Sequence, residues 1–244
     1  MATYQTPGIV LSRTNFGEAD RVIRLLTPYH GKLSAVAKGV RKIKSRLAGH
    51  LEPFAETNLM LATGRNLEVI TSARLIWYPH ALTASFSQMN LAFMVATAVD
   101  RLTEPGQPQP KLYELLRDTL HDIDAGPSPQ VLELWFKLRL LDLLGYRPEL
   151  AGCIVCGQSG EGRQYFLDVT AGGLTCDTHA PTGAVRMSEA DIKFWRLIFT
   201  HPYVTIAKIE RAESLASTTV PTCDQLYEHH LGRTFKPASA GEMI

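Results

Sequence analysis

The hydrophobic period of the sequence changes once, near Ser85, and this change limits the possible folds more than any other feature. Before Ser85, apolar and polar residues alternate in short runs at residues 9–13, 31–38 and 67–75, and residues 21–26 form a run rich in β-branched residues and leucine. A period of two is typical of half-buried strands, and glycine and proline separate these runs as they separate strands. Several short strands joined by turns predict a small β-barrel or a sandwich. Closure into a barrel would remove the exposed strand edges.

After Ser85 the apolar residues recur at helical spacing, and Ser85 with Gln88 forms a plausible capping box. Similar stripes predict further helices at residues 112–123, 129–144, 188–198 and 222–231, whereas residues 202–221 show no clear pattern. The stretch 129–144 is apolar on most sides, which is typical of a helix in the middle of a helical core. The sequence therefore predicts an α+β protein with a β-rich front and a helical remainder.

We divide the 244 residues into three predicted domains, which is reasonable for this length. Residues 1–80 form the barrel, and residues 81–150 together with 185–244 form a helical domain. Residues 151–184 contain three of the four cysteines and many glycines, and they form an insertion into the helical part.

The insertion contains two short pairs of metal-ligand residues. Cys153 and Cys156 are separated by two residues, and after nineteen intervening residues Cys176 and His179 repeat that spacing. Two such turns can complete a tetrahedron around one zinc ion, and four protein ligands leave no open position for catalysis. The sequence therefore predicts one structural Zn²⁺, and the alternative is four unrelated buried residues. Cys223 lies outside this pattern and is expected to be a core or partly exposed thiol.

The charge of the chain is unevenly distributed. The formal net charge is only +1, but the first 80 residues contain eleven Lys and Arg against five Asp and Glu. Such an asymmetry suggests a polyanionic partner for the basic part. The longest mostly apolar run, residues 91–99, is half the length of a membrane span, and the N-terminus lacks the pattern of a secretory signal. We therefore expect a cytoplasmic protein with no membrane partner, whose cysteines are thiols or ligands.

The positive charge is concentrated in residues 38–46, which follow a predicted strand and form a loop or rim of the barrel. This segment has five cations and no acid, at Lys38, Arg41, Lys42, Lys44 and Arg46. Four cations on neighbouring strands extend the predicted patch, namely Arg13, Arg21, Arg24 and Lys32. A positive groove on a small barrel is a typical track for single-stranded nucleic acid. The alternative is a solvated loop.

Aromatic side chains near this patch are few. Phe16, Tyr29 and Phe54 are close to it in sequence, but none alternates with the cations. We therefore expect binding to the phosphate backbone without sequence readout. The sequence contains no P-loop, no dinucleotide-binding motif, no nucleophile elbow and no zinc-protease motif, so no catalytic residues are assigned and no enzyme is predicted.

Several motifs together resemble the RecO family of bacterial DNA repair proteins, in the same order and over nearly the whole chain. In the N-terminal part they lie at residues 17–22, 26–27, 30–33, 37–42 and 51–54, and in the rest of the chain they lie at residues 143–146, 172–174 and 227–233. The resemblance implies an oligonucleotide/oligosaccharide-binding (OB) barrel, a helical domain and a zinc-binding insertion. Two positions depart from the family pattern: His179 replaces a common cysteine, and the tail after Arg233 lacks a Lys-Ser motif.

The resemblance also implies a function in DNA repair and recombination. A member of this family binds single- and double-stranded DNA and anneals complementary strands. With RecR it loads RecA onto strands coated by single-stranded-DNA-binding protein (SSB). Two other hypotheses remain open: a zinc-containing nucleic-acid-processing enzyme, such as a nuclease or RNA-modifying enzyme, and a scaffold whose barrel binds protein.

The family is further expected to capture the acidic C-terminal tail of SSB on its helical domain and to associate with the nucleoid. An apolar pocket rimmed by cations would suit such a tail. The first candidates are Trp135, Lys137, Arg139 and Arg233. The alternative for Trp135 is ordinary core packing.

Overall fold

The structure is a computed structural model that describes residues 2–126, 128–160 and 162–232. The strands of the front part are β1 (Thr3–Phe16), β2 (Asp20–Thr27), β3 (Gly31–Ala37), β4 (Glu56–Ala62) and β5 (Glu68–Trp77). The remaining elements are α1 (Phe86–Leu102), α2 (Pro110–Asp124), α3 (Pro129–Leu143), β6 (Tyr165–Asp168), β7 (Gly173–Cys176), β8 (Val185–Met187), α4 (Glu189–Thr200), α5 (Tyr203–Ile206) and α6 (Ala212–Leu231).

The first five strands form a closed barrel in the order β1-β2-β3-β5-β4. All neighbouring strands are antiparallel except β3 and β5, which are parallel. The α+β class and the OB-type barrel expected from the sequence are therefore confirmed. Strand β4 was not among the predicted runs.

The length of β1 allows the barrel to close. Its first half pairs with β4 and its second half with β2, and the register shifts between Val10 and Ser12, where the strand passes from one partner to the other. Such an irregularity bends a strand and increases its twist, as a closed barrel requires. The barrel interior is filled by buried aliphatic side chains, including Val10, Ile23, Leu25, Leu59, Leu61 and Ile70.

Helices α1 and α2 belong to the same compact unit as the barrel, which ends at residue 126. The Tyr113 hydroxyl on α2 donates a hydrogen bond to the Glu56 carboxylate on β4 at 2.8 Å. The His121 ring stacks on Trp77 with 3.9 Å between ring centroids. The second compact unit contains residues 128–232 of the described chain. The two units are defined by how compactly their residues pack. They do not decide where the three predicted domains begin and end, so those boundaries stay a prediction.

Asp122 on α2 gives the barrel unit a specific pH dependence. Burial raises its pKa to about 6, and the charge of Asp118, one turn earlier, adds to the shift. A raised carboxyl pKa means that the folded state holds the proton more tightly, so this group costs stability as the pH rises from about 4 to about 6. Because the side chain is only half-buried, we expect Asp122→Asn to raise the free energy of unfolding by about 1 kcal/mol at pH 7.

The gain should disappear near pH 4, where Asp122 is protonated in the folded state. Hydrogen exchange of the barrel amides at both pH values measures it, and Glu114→Gln, at an exposed carboxylate of the same helix, is the matched control. A gain of equal size at both pH values would contradict this account of Asp122.

Helix α3 is the centre of the second compact unit, as its apolar sequence predicted. Nine of its fifteen residues are buried. Among them is Lys137, only 1% exposed, whose ammonium group donates to the carboxylates of Glu133 and Asp224 at 2.5 and 2.6 Å. Burial lowers the pKa of Lys137, but the two carboxylates outweigh burial and leave the pKa raised. The buried lysine is therefore charged and fixed inside the unit.

The second compact unit differs from the sequence prediction in the start of α6, and it also contains a small sheet. Helix α6 begins at Ala212, ten residues before the predicted start, and Pro221 lies inside it. The residues between α3 and α4 include a small sheet of order β7-β6-β8. Within the described residues, every helix is too short or too polar to span a membrane.

Candidate metal centre and candidate nucleic-acid interface

The structure brings the four predicted metal ligands together. The sulfur atoms of Cys153, Cys156 and Cys176 and a ring nitrogen of His179 all lie within 4.8 Å of one another. Cys153 and Cys176 are buried, whereas Cys156 and His179 are exposed. Nδ1 of His179 lies 3.2 Å from the Cys176 sulfur and 3.8 Å from the Cys153 sulfur. The alternative of four unrelated buried residues is therefore wrong.

Each pair of ligands is held by one tight turn. In the first turn, the Gly157 amide donates to the Cys153 carbonyl at 2.8 Å, and Gly157 adopts a positive φ of 68°. In the second, Cys176 ends β7 and the His179 amide donates to its carbonyl at 3.0 Å. A two-residue spacer in such a turn directs both side chains to the same point.

Strand β7 connects the two turns. The Ile154 amide donates to the Leu174 carbonyl at 2.8 Å, which places the first turn against the strand that carries Cys176. Gly173 permits this approach, because a Cβ atom there would lie 2.5 Å from Cγ2 of Ile154. A larger residue at position 173 would therefore displace the Ile154 side chain.

The donor set fits a metal ion. A tetrahedral site with metal–sulfur bonds of about 2.3 Å needs ligand atoms roughly 3.5–4 Å apart, which is close to the spacing in this cluster. Three thiolates and one imidazole form a soft to borderline set that suits zinc. The Cys₃His group can therefore hold a metal ion without large movement of the chain.

The five cations of residues 38–46 form an exposed loop between β3 and β4, which we call the basic loop. The side chains of Lys38, Arg41, Lys42, Lys44 and Arg46 are all exposed. Within the described part of the chain, none of them has a carboxylate within 4.0 Å. Their charge is therefore available to a polyanion.

Hydrogen bonds fix the basic loop to the turn between β1 and β2. The Arg41 amide donates to the Ala19 carbonyl at 2.9 Å, and the Arg41 guanidinium donates to the Gly17 carbonyl at 3.2 Å. The Gly39 amide donates to the Asp20 carboxylate at 2.7 Å. The loop and the turn thus form one end of the barrel.

The four predicted cations on the strands differ from those of the loop. Arg13 forms an ion pair with Glu52 at 2.5 Å, and Asp100 on α1 pairs with both Arg24 and Lys32. Arg21 instead donates to the side-chain oxygen of Asn15 at 3.2 Å.

Arg21 lies opposite Ala37 in the β2–β3 register, next to the start of the basic loop. Burial lowers the pKa of Arg21, and the charges of Arg13 and Arg41 lower it further. Arg21 therefore joins the basic loop, whereas carboxylates neutralise the other three strand cations.

Only one of the three nearby aromatic residues lies with the basic loop. Phe16 is 55% exposed at the end of β1, beside the turn that holds Arg41. Phe54 is buried with its ring 5.1 Å from that of Phe93, so it offers no stacking surface. Tyr29 is exposed, but it lies in the β2–β3 turn, a full strand length from Lys38. Neither Phe54 nor Tyr29 therefore offers a stacking surface beside the basic loop.

Asp100 is a residue that sequence reasoning did not identify, since no pattern links it to cations 68 and 76 positions earlier. We expect Asp100→Asn to strengthen the binding of single-stranded DNA about threefold at low salt. The substitution removes the carboxylate that neutralises Arg24, whereas Lys32 keeps its hydrogen bond to the Asp100 backbone carbonyl. One freed cation should steepen the salt dependence by about 0.7. Fluorescence anisotropy across a salt series measures both changes. Asp118→Asn, at an exposed carboxylate of α2, is the control, and equal effects of the two variants would contradict a specific role for Asp100.

Of the residues predicted to hold a peptide tail, Trp135 and Arg139 are neighbours on α3, with the Arg139 guanidinium carbon 5.9 Å from the centre of the Trp135 ring. Trp135 is buried and its ring N–H donates to the His201 carbonyl at 3.1 Å, and Lys137 is enclosed by its two carboxylates. Arg139 is half-buried and donates to the Phe199 carbonyl at 2.6 Å. Arg233 lies outside the described residues. For Trp135 the alternative of core packing matches the structure, and the binding of a peptide tail stays a prediction.

A closed OB-type barrel with a basic loop, a helical unit and a Cys₃His cluster defines a class of nucleic-acid-binding protein with a metal-binding module. Comparison with known families agrees with this class. The model of the recombination protein O N-terminal domain matches residues 1–78, and that of the recombination protein O C-terminal domain matches residues 85–238. The chain belongs to the RecO family.

Individual relatives support the same assignment. The DNA repair protein RecO of Roseiflexus sp. (strain RS-1) is 38% identical over 201 residues, which cover 82% of this chain and 71% of that protein. The RecO protein of Bifidobacterium longum (strain DJO10A) is 34% identical over 191 residues, or 77% of this chain and 79% of that protein. The RecO protein of Dehalococcoides mccartyi (strain CBDB1) is 29% identical over 208 residues, or 85% and 82%.

Proposed function

We propose that this chain is a non-enzymatic recombination mediator that binds single- and double-stranded DNA and anneals complementary strands during DNA repair. The observation that carries the proposal is the basic loop: five exposed cations without a carboxylate partner in the described residues, on a loop held by hydrogen bonds at one end of the barrel. Membership of a family of DNA repair proteins supports it.

The mechanism is electrostatic. The ammonium and guanidinium groups of the basic loop neutralise phosphates and release the counterions bound to them. Two complementary strands then repel one another less and stay close until base pairs nucleate. Base pairing supplies the free energy, so no nucleotide has to be hydrolysed.

The partners in this proposal follow from the family. The chain would act with RecR to load RecA onto single-stranded DNA coated by SSB, and it would bind the acidic C-terminal tail of SSB. It would carry out this function in the cytoplasm, associated with the nucleoid. The burial of Trp135 and Lys137 means that the tail would need a different surface of the helical unit from the one predicted.

The metal in this proposal is one structural zinc ion held by Cys153, Cys156, Cys176 and His179. Zinc would supply a cross-link between the two turns and no catalysis, because four protein ligands complete its coordination. The donor set and the 4.8 Å cluster support this assignment.

Strand annealing tests the proposed function. Two complementary labelled oligonucleotides are mixed with the protein, with and without SSB, and duplex formation is followed over time. We expect the wild type to accelerate annealing, and we expect the variant with alanine at the five basic-loop cations to fail. The charge-matched control carries alanine at five exposed cations elsewhere, Arg65, Arg74, Lys111, Arg163 and Lys208, and should retain the activity. Equal loss in both variants, or cleavage of the DNA with a divalent metal, would contradict the proposal.

A further inference from the structure

Ile43 lies in the middle of the basic loop and is completely exposed to solvent. An isoleucine in this position contributes nothing to the core, and lysines flank it on both sides, at positions 42 and 44. One exposed apolar side chain is common on protein surfaces and does not by itself indicate a binding site. The inference instead depends on the fixed turn that displays Ile43 and on a second exposed apolar side chain at the same end of the barrel.

The loop holds Ile43 in a defined position. The Lys42 amide donates to the Gly39 carbonyl at 3.1 Å, and the Ser45 amide donates to the Lys42 carbonyl at 2.9 Å, so a closed turn spans Ile43. The Leu47 amide donates to the Ser45 hydroxyl at 3.3 Å. A side chain displayed on a fixed turn loses little conformational freedom on binding.

A second exposed apolar side chain lies at the same end of the barrel. Phe16 precedes Gly17, whose carbonyl accepts a hydrogen bond from the Arg41 guanidinium. The aromatic ring and the isoleucine are thus presented by two adjacent segments, with loop cations nearby. This arrangement matches a ligand that has both apolar faces and a dense negative charge.

We propose that Ile43 and Phe16 contact the bases of single-stranded DNA while the basic loop binds its phosphates. Ile43 would insert between two bases as a wedge, and Phe16 would provide a surface on which one base stacks. This inference rests on the proposed function, because it requires the basic loop to bind the strand.

Charge and accessibility favour a single strand over other partners. Loop cations without a carboxylate partner among the described residues would repel a basic protein surface, whereas the dense negative charge of phosphates complements them. In a duplex the bases are stacked and paired, and inserting a side chain costs unstacking energy. A single strand offers base faces at a lower cost. Bases separated in this way are free to pair with a complementary strand, which would help annealing to begin.

Substitution of Ile43 and Phe16 by serine tests the inference. The probe is a single strand containing the fluorescent base 2-aminopurine, whose emission rises when the base is unstacked. We expect the wild type to increase the emission, and Ile43→Ser to abolish most of that increase. Each variant should bind the single strand about five- to tenfold more weakly, with an unchanged slope of affinity against salt.

Ile76→Ser is the matched control, because Ile76 is also exposed but lies on β5 with no cation beside it in the sequence. It should behave as the wild type. The inference is overturned if Ile43→Ser and Ile76→Ser give the same affinity for the single strand and the same emission. It is also overturned if Ile43→Ser lowers the affinity for a blunt duplex as much as the affinity for a single strand. Failure of the wild type to bind DNA at low salt would instead overturn the proposed function, so the two failures are distinguishable.

Discussion

Alanine at Lys38, Arg41, Lys42, Lys44 and Arg46 is expected to weaken the binding of single-stranded DNA about a thousandfold at roughly 0.1 M salt. For single strands the logarithm of the affinity falls with the logarithm of the salt concentration by about 0.7 for each neutralised phosphate. Five lost phosphate contacts therefore remove a slope of roughly 3.5, which corresponds to three orders of magnitude at this salt concentration. Equilibrium binding to several unrelated sequences measures the loss, which should be about equal for all of them.

The barrel should remain folded in this variant, because all five side chains are exposed and none fills the core. Circular dichroism and hydrogen exchange of β1–β5 check this point. The variant with alanine at the five distant cations has the same net charge and should lose far less affinity. If both variants lost affinity to the same extent, overall charge rather than the basic loop would explain binding.

Cys176→Ser is expected to remove the bound metal and to unfold the small sheet that carries this residue. Metal binding in such small modules contributes roughly 10–16 kcal/mol at neutral pH, which is more than the stability of most domains. Strands β6 and β7 are four residues long and β8 is three, so packing alone gives them little stability. Metal analysis of the purified protein should give one equivalent of zinc for the wild type and none for the variant.

Hydrogen exchange shows which strands unfold in the Cys176→Ser variant. The amides of β6–β8 should lose protection, while those of the barrel strands keep it. Cys223→Ser is the control, since Cys223 is a buried thiol on α6 outside the cluster and its substitution should leave the metal content unchanged. Full protection of β6–β8 after removal of the metal by a chelator would contradict the structural role of the ion.

Local patterns in the sequence predicted much of this fold. The alternation of residues 31–38 marked β3, and the apolar stripe at residues 188–198 marked α4, which begins with a complete capping box between Ser188 and Asp191. The spacing of the two ligand pairs predicted the Cys₃His cluster, because a two-residue spacer restricts both side chains to one turn. In these cases the information lies within a few consecutive residues.

Elements without such local signals were missed. Strand β4 has a burial pattern in which neighbouring residues are both buried at its ends, which obscures the alternation. The start of α6 was predicted at residue 222, because residues 202–221 show no clear apolar period. In the structure Ala212 and Ala216 are buried and the helix passes through Pro221. Tertiary packing outweighs local propensity here.

The binding surfaces were harder to predict because they depend on distant residues. No sequence window shows that Asp100 neutralises Arg24 and Lys32, or that Glu133 and Asp224 enclose Lys137. Charge in a sequence becomes available to a ligand only when no carboxylate of the folded chain approaches it. The run of five cations in the basic loop was predictable because its neighbours in sequence contain no acid.

The central claim is that the basic loop at one end of the barrel binds the sugar–phosphate chain. The most direct test is the affinity of the wild type for a single-stranded oligonucleotide of arbitrary sequence, measured from low to moderate salt. The account predicts binding at low salt and a log–log slope of roughly −3.5 or steeper, independent of sequence. A slope near zero, or no binding even in dilute buffer, would contradict it.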